Sequence, residues 1–444
     1  MEKSNCLGNF VRYSTLNIMG MIGVSFYILA DTYFVSKALG TNGLAALNLA
    51  LPLYNFMDGC GLMAGMGGGT KYSIQKSMKE DSAANRIFTN AVFFVTGMSV
   101  IFMLTGIFLS GTILSVFGAR GNILAISATY LRTLLLFSPA FLMNYMLLAF
   151  VRNDGAPQLS MAAMIAGSVS NVVLDWVFMF PCRMGIFGAA LATGLAPAIS
   201  MAVLSLHFFR RKNSFHLKKC RPEGKLFLGI FFTGIPSLIT EMSSGIVIIV
   251  FNSIMLNLRG SVGVAAYSVI ANLSLVVIAV YTGLAQGVQP LISSNYGVRN
   301  YKNIKLLLRY AMTAMLSVSV IIYAVVFFYA PDITAFFNSE QNELLQSIAV
   351  DGIKLYFTAC PFAGFNIILS VYFTSIEYPV PAHIISVLRG FAVIIPMAFM
   401  LSSAAGIVGV WCAFPAAECL VTAAGLVFLS ILRRNSKTGG ISRV

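Results

Sequence analysis

Residues 88–115, FTNAVFFVTGMSVIFMLTGIFLSGTILS, run for 28 positions without a charged side chain. An α-helix rises about 1.5 Å per residue, so about 20 apolar residues cross the ~30 Å hydrocarbon layer of a bilayer. This stretch is therefore long enough to cross a membrane once. It lacks the polar–apolar alternation of a strand in an outer-membrane barrel. It indicates a transmembrane helix.

Eleven further apolar blocks of this kind follow one another along the 444-residue chain. Together the blocks predict spans at 10–36, 46–68, 88–115, 123–150, 157–180, 185–209, 226–257, 263–293, 304–330, 344–374, 380–402 and 406–432. The composition agrees, because 58% of the residues are hydrophobic and only 10% are charged, whereas soluble domains are about a quarter charged. Lipid must then be the solvent for most of the surface. We expect an all-α integral membrane protein of twelve transmembrane helices.

The basic residues are distributed unequally between the two ends of these spans. Twelve spans place both termini on one side, and 23 of the 29 lysines and arginines lie on or nearest that side. The other side holds Lys37, Arg120, Arg132, Arg183, Arg259 and Lys354. Excess positive charge marks cytoplasmic loops. We therefore read the net charge of +14 as a topology signal, and not as a nucleic-acid site. We expect a multi-pass protein of the cell membrane with both termini in the cytoplasm.

Enzyme and cofactor signatures are missing from the sequence. The seven cysteines are scattered without paired spacing, which predicts neither a disulfide framework nor a zinc site. The glycines at 65 and 67–69 precede Lys71 but lack the strand and spacing of a phosphate loop, and no HExxH motif occurs. The first apolar block is too long for a cleaved signal peptide. We expect no enzyme and no cofactor other than a coupling ion.

The chain resembles itself at a shift of about 222 residues. Arg132, Pro139 and Pro157 fall on Lys354, Pro361 and Pro379, and the string beginning at Gly185 falls on the one beginning at Gly406. Six spans per half is an even number, so the copies share one orientation, as parallel repeats about a pseudo-twofold axis do. We predict two six-helix bundles: an N-terminal lobe (1–209), a basic cytoplasmic linker (210–225) and a C-terminal lobe (226–444). Alternating access uses such a pair of lobes, although channels and enzymes can also carry repeats.

Five acidic residues lie well within the predicted spans: Asp31, Asp58, Asp175, Glu241 and Glu418. Ionisable groups are costly in hydrocarbon and usually functional there. Asp31 and Asp175 share nearly the same depth, because each lies about five residues, or about 8 Å, from the outer end of its span. Asn171 lies one helical turn before Asp175 on the same face, and Thr193 lies at a similar level. These four residues form a predicted N-lobe site.

This N-lobe site has two chemical readings and one structural alternative. Two carboxylates in a low dielectric cannot easily both stay ionised, so the pair can carry a proton. Carboxylate, amide and hydroxyl oxygens at Asp31, Asn171, Asp175 and Thr193 would equally suit Na⁺. Alternatively, each carboxylate only hydrogen-bonds a neighbouring helix. The repeat favours function, because the C-terminal lobe has no acidic counterpart of either aspartate.

Three other acids are candidates for a substrate cavity. Glu241, five residues after Pro236, is the strongest candidate in the C-terminal lobe for binding a cationic substrate or a second proton. A helix-packing role for Glu241 is an equal alternative. Asp58 and Glu418 lie near mid-membrane and are further cavity candidates. The chain also has 22 methionines and 35 phenylalanines, which suit promiscuous binding or simply face lipid.

Several segments resemble the multidrug and toxin extrusion (MATE) family, and most closely its bacterial MepA-like branch. They are ADTYFVS at 30–36, GLAA at 43–46, RNDGAP at 152–157 and NVVLD at 171–175. The resemblance implies twelve helices in two lobes that export organic, often cationic, drugs in exchange for inward H⁺ or Na⁺, and so a role in antibiotic resistance. It places the coupling ion at the N-lobe site. We expect small organic cations and membrane lipid as partners, no nucleic acid, and a functional monomer.

The main alternative is a lipid-linked oligosaccharide flippase, whose relatives have similar repeated bundles. Its pyrophosphate substrate would need several basic residues in the cavity, and Arg389 is the only one near mid-span. A passive channel is a weaker alternative, because it would not need an acidic pair confined to one lobe.

Overall fold

A computed structural model of the chain describes residues 3–338 and 341–437. These residues form helices and turns, with no strand among them. The α-helices are α1 (Lys3–Ser77), α2 (Asp81–Phe108), α3 (Ser110–Val116), α4 (Gly121–Leu136), α5 (Ser138–Asn153), α6 (Pro157–Met179), α7 (Gly185–Phe209), α8 (Gly224–Gly297), α9 (Tyr301–Phe328), α10 (Ala330–Phe337), α11 (Glu343–Tyr356), α12 (Cys360–Ser375), α13 (Pro379–Val387) and α14 (Ile394–Lys437). A 3₁₀-helix (Phe357–Ala359) precedes α12, and a π-helix (Leu388–Ala392) joins α13 to α14.

The longest helices are each broken once by a glycine with a positive φ angle. A straight helix of the 75 residues of α1 would be about 110 Å long, far more than a bilayer needs. Gly40 breaks α1 with φ 60° and ψ −148°, and Gly260 breaks α8 with φ 62° and ψ −149°. Gly406 breaks α14 with φ 58°. Such angles strain any residue with a Cβ atom. Gly40 and Gly260 fall between two predicted spans, and Gly406 is the first residue of the last predicted span. These helices therefore turn back through the membrane.

Twelve membrane crossings result within the described residues. Eight helical stretches are long and apolar enough to cross a membrane, and the bent pair α4–α5 makes a ninth. Division of α8 at Gly260, and of Pro379–Leu432 at Gly406, adds two more. The part of α1 after Gly40 is the twelfth. The predicted all-α fold of twelve transmembrane helices is confirmed.

The internal repeat of the sequence is also present in the order of the helices. The helices α9 to α13 begin 220 to 222 residues after α2 to α6, in the same order. One detail departs from the predicted spans, because 123–150 and 344–374 are not single straight helices. The helices α4 and α5 meet at an angle of 49°, and the 3₁₀-helix interrupts the second span. Pro139 and Pro361 follow these bends, and a proline ring excludes the regular helical hydrogen bond before it.

The buried hydrophobic residues form two separate clusters. One cluster takes its members from residues 35–230, and the other takes nearly all of its members from residues 251–421. The exceptions are Cys6 and Phe10, which lie at the start of α1 but belong to the second cluster. Phe10 packs against Tyr310 of α9, with ring centroids 5.7 Å apart. The first turns of the chain are therefore anchored in the opposite half of the molecule.

The segment between α7 and α8 lies along the N-terminal half. Its Phe215 is fully buried in the first cluster. Its backbone amides donate hydrogen bonds to side chains of that half, from Ser214 to Asp154 at 2.8 Å and from His216 to Asn85 at 2.8 Å. The predicted linker 210–225 thus includes a segment, 214–216, that is packed and hydrogen-bonded onto the N-terminal half. The lobe boundaries at 209 and 226 stay a prediction.

Candidate functional site

The predicted N-lobe residues come together where α1, α6 and α7 pack. Small residues permit the close approach of these helices, since an added Cβ atom at Gly20 would lie 2.9 Å from Met164 of α6. A Cβ atom at Gly167 of α6 would lie 3.2 Å from the Ala196 carbonyl of α7. Asp175 and Asn171 are both 0% exposed. They lie four residues apart and therefore share one face of α6, and their burial shows that this face is turned toward the protein interior.

Four of the six side-chain oxygen atoms of these residues lack a hydrogen-bond partner in the described structure. Asn171 donates its amide hydrogen to the Thr193 hydroxyl at 3.4 Å. Both carboxylate oxygens of Asp175, Oδ1 of Asp31 and Oδ1 of Asn171 are buried without any hydrogen bond in the described structure. Asp31 and Asp175 also interact electrostatically. Buried acceptors are normally satisfied, so these four oxygens are suited to hold a proton or a small cation. We call Asp31, Asn171, Asp175 and Thr193 the ion site.

A second acidic cluster joins the two halves. Asp58, 7% exposed, accepts a hydrogen bond from Tyr145 at 3.1 Å and interacts electrostatically with Glu241 of α8. The backbones approach closely here, because a Cβ atom at Gly59 would lie 3.3 Å from Cβ of Glu241. The structure thus brings together Asp58 and Glu241, two of the three predicted cavity acids.

Four tyrosines surround these acids, and the sequence analysis missed them. Tyr27, Tyr54, Tyr130 and Tyr145 are the members of this group. Tyr27 and Tyr130 interact electrostatically with Asp58 and also with both aspartates of the ion site. They are therefore within electrostatic reach of both acidic clusters. Tyrosines in membrane proteins are usually found at the membrane interface. The positions of these four inside predicted spans were therefore the sequence signal that could have marked them as functional candidates.

The remaining cavity candidate, Glu418, has different partners. Its Oε1 accepts hydrogen bonds from Nε and Nη2 of Arg389 at 3.0 and 2.8 Å, and its Oε2 accepts one from Asn366 at 2.7 Å. Arg389 lies in the π-helix, which ends four residues before Pro396. A proline ring would clash with the carbonyl at that distance in a regular α-helix. Glu418 thus forms an ion pair inside the C-terminal half.

Burial along the helices shows where the halves meet and where they separate. We call the membrane side that carries the basic loops after Ser77 and Gly297 the basic face. Approaching that face, residues 63–70 and 283–293 are buried at every position. One to two turns further from it, residues 51–56 and 271–276 are half-buried at every position. A helix packed on one side only would alternate with the helical period. The halves are therefore sealed toward the basic face, and from the uniform half-burial further out we infer a cleft between them from mid-membrane outward.

Comparison with known proteins agrees with this architecture. The sequence model of the MatE family matches residues 17–177 and 236–400, one stretch in each half. The multidrug export protein MepA of Staphylococcus saprophyticus is 24% identical over 434 residues, which cover 97% of this chain and 95% of that protein. MepA of Staphylococcus aureus strain MSSA476 is 25% identical with the same coverage.

Solved structures show the same fold. A multidrug resistance MATE family transporter of the MOP superfamily, in an outward-facing conformation, superposes with a TM-score of 0.90. It is 22% identical, and the match covers 96% of each chain. Since the family model spans most of the sequence in two repeated stretches, the chain belongs to the MatE family of multidrug and toxin extrusion transporters.

Proposed function

We propose that this protein exports organic cations in exchange for inward-moving H⁺ or Na⁺, by alternating access between its two lobes. Family membership and the multidrug export proteins among its relatives support the export of small molecules. The observation that carries the coupling proposal is the set of unpartnered oxygens at the ion site. A buried carboxylate without a partner is strongly disfavoured unless it holds a proton or a cation.

The coupling follows from occupancy of this site. The cleft is open on the side away from the basic face, and an ion that enters there would neutralise Asp31 and Asp175. A ligand shifts a conformational equilibrium only by its different affinity for the two states. Ion binding would reposition helices of the N-terminal lobe and expel drug outward. Release of the ion on the cytoplasmic side would restore the charges and reset the cycle.

The second acidic cluster supplies a site for the substrate. Asp58 and Glu241 face the space between the lobes, and Tyr54 and Tyr145 lie beside Asp58. Carboxylates attract a cation, and tyrosine rings add cation–π attraction and apolar contact area. This chemistry suits amphipathic organic cations. Tyr27 and Tyr130 interact electrostatically with Asp58 and with both aspartates of the ion site, so occupancy of either acidic cluster would be felt through them at the other.

The flippase alternative has less support. Its pyrophosphate substrate would require uncompensated positive charge in the cavity, and Glu418 neutralises Arg389, the basic residue near mid-span. We place the protein in the cell membrane with both termini cytoplasmic, because the basic face carries most of the lysines and arginines. This orientation puts the open cleft on the external side.

Transport in proteoliposomes would test the proposal. A fluorescent organic cation is followed under an imposed proton gradient and, separately, under an imposed Na⁺ gradient. We expect gradient-driven export by the wild type and at least a tenfold loss in Asp175→Asn, because removal of one carboxylate abolishes charge exchange at the ion site. Asp332→Asn is the matched control, since that aspartate is exposed at the start of α10.

Each outcome has a defined meaning. Whichever gradient drives export identifies the coupling ion. Wild-type transport by Asp175→Asn would show that the assigned coupling role is wrong. Absence of transport under both gradients, with folded protein confirmed, would favour the flippase.

A further inference from the structure

Arg152 is a buried cation with neutral partners. It lies one residue before the end of α5 and is 3% exposed. Its guanidinium donates to Oδ1 of Asn17 at 2.8 Å and to Oε1 of Gln286 at 3.0 Å. It also lies 3.7 Å from the sulfur of Met66. Gln286 belongs to α8, so the second hydrogen bond connects the two lobes.

The surroundings of Arg152 form the seal of the cleft. The neighbouring Asn153 donates to Oε1 of Gln289 at 3.1 Å, and Gln289 donates to Thr70 at 3.0 Å. These bonds also cross between the lobes. Lys71 and Glu377 form an ion pair at 2.9 Å nearer the basic face, and both side chains are partly exposed. Each of these contacts between the lobes includes a residue of the buried stretches 63–70 and 283–293, or Lys71, which directly follows the first stretch.

Glycines let the helix backbones meet in this region. A Cβ atom at Gly234 would lie 2.0 Å from the Met63 carbonyl oxygen, and one at Gly287 would lie 2.7 Å from the Tyr13 carbonyl oxygen. No side chain could be accommodated at these positions without parting the helices. The seal therefore consists of close backbone packing and a small number of polar bonds. Within the described residues, the hydrogen bond from Arg152 to Gln286 is the one side-chain bond between the lobes that involves a charged and buried group.

We propose that Arg152 and Gln286 form a reversible latch that closes the cytoplasmic side, and that the neutrality of Gln286 keeps the latch weak enough to open. This inference rests on the proposed alternating access. A carboxylate at the position of Gln286 would create a buried ion pair. Separation of a buried charged pair is much more costly than loss of a hydrogen bond to an amide. The present arrangement gives the closed state a directional bond without trapping it.

The substitution Gln286→Glu tests the latch directly. It keeps the side-chain size and the bond to Arg152 but adds a negative charge. Opening would then separate a buried ion pair instead of a bond to a neutral amide, so we expect the population opened toward the cytoplasm to fall about tenfold or more. Gln286→Met is the matched control, because it removes the acceptor at similar volume and should raise that population.

Hydrogen–deuterium exchange in nanodiscs measures the opening without any need for transport. Exchange of residues 63–70 and 283–293 should slow about tenfold in Gln286→Glu and quicken in Gln286→Met, while α2, which lies outside the seal, stays unchanged. Export of the fluorescent cation should fall with the first substitution. Combining Gln286→Glu with Arg152→Met should abolish the slowing, since no cation remains to pair with the new carboxylate.

Unchanged or faster exchange in Gln286→Glu would overturn the latch. Slowing that persists after Arg152→Met would also overturn it, because the effect would then not come from the pair. Exchange that follows these expectations in a protein that transports nothing under either gradient would support the latch while refuting the proposed export. The two hypotheses therefore fail separately.

Discussion

The ion pair between Arg389 and Glu418 allows a quantitative prediction about the stability of the C-terminal half. The substitution is Glu418→Gln, which removes the negative charge and leaves Arg389 in place. The Arg389 side chain is 12% exposed and the Glu418 side chain is 2% exposed. The arginine would remain in the membrane interior without a counter-charge. Asn366, which now donates to the carboxylate at 2.7 Å, would lose a charged acceptor.

The magnitude follows from burial. Removal of one partner of a buried pair costs about 3–5 kcal/mol of unfolding free energy. Arg389 keeps some exposure, so we expect the lower end, about 3 kcal/mol, or on the order of a 10²-fold change in the unfolding equilibrium. Arg389→Met should cost a similar amount. The double variant Arg389→Met with Glu418→Met leaves no uncompensated charge, and we expect it to lose less than about 1.5 kcal/mol.

Unfolding in mixed micelles with increasing dodecyl sulfate is a suitable assay. Trp411 is 1% exposed and lies two turns before Glu418 on α14, so its fluorescence reports on this half. The other tryptophan, Trp176, lies in α6 of the N-terminal half. The double-variant cycle isolates the pair energy. Losses in the single variants that simply add up in the double variant would refute the reasoning, because independent sites would then account for both effects.

Two further predictions concern the helix breaks and the cavity. Gly260→Ala should lower the unfolding free energy by about 1–2 kcal/mol, since its φ angle of 62° disfavours a Cβ atom, while Gly97→Ala, in a regular helix with no atom within 4 Å of the added Cβ, should not. Equal unfolding midpoints for the two variants would contradict this explanation of the break. Tyr145→Phe removes the 3.1 Å hydrogen bond to Asp58 and should raise the KM for the exported cation about three- to tenfold with little change in maximal rate. A loss of maximal rate at unchanged KM would instead place Tyr145 in ion coupling.

The sequence was sufficient to predict the number and order of the spans, because the cost of charge in hydrocarbon leaves a direct trace in composition. It also predicted that the N-lobe residues lie together, since Asn171 and Asp175 are one helical turn apart and Asp31 shares their depth. Their role in ion coupling stays a prediction. These inferences need only the geometry of single helices. The repeated prolines at 139 and 361 marked the positions of both bends, although the bends themselves were not inferred.

Contacts between helices were beyond such reasoning. Glu418 pairs with Arg389 of a different span, and a single sequence does not give the rotation of one helix against another. Tyr27 and Tyr130 were missed because an aromatic residue within a span is equally well explained by contact with lipid. The role of Arg152 was hidden for a related reason, since its partners Asn17 and Gln286 are neutral and give no charge pattern.

The anchoring of the first helix has a mechanical consequence. Cys6 and Phe10 are packed in the C-terminal core, while Asp31 on the same helix belongs to the ion site of the N-terminal lobe. About 20 residues separate Phe10 from Asp31, which corresponds to a lever arm of about 30 Å. No proline or non-helical residue interrupts this stretch, so the arm is stiff. A small tilt produced at one end by the proposed ion binding would therefore act as torque on the other lobe, without an intervening hinge to absorb it.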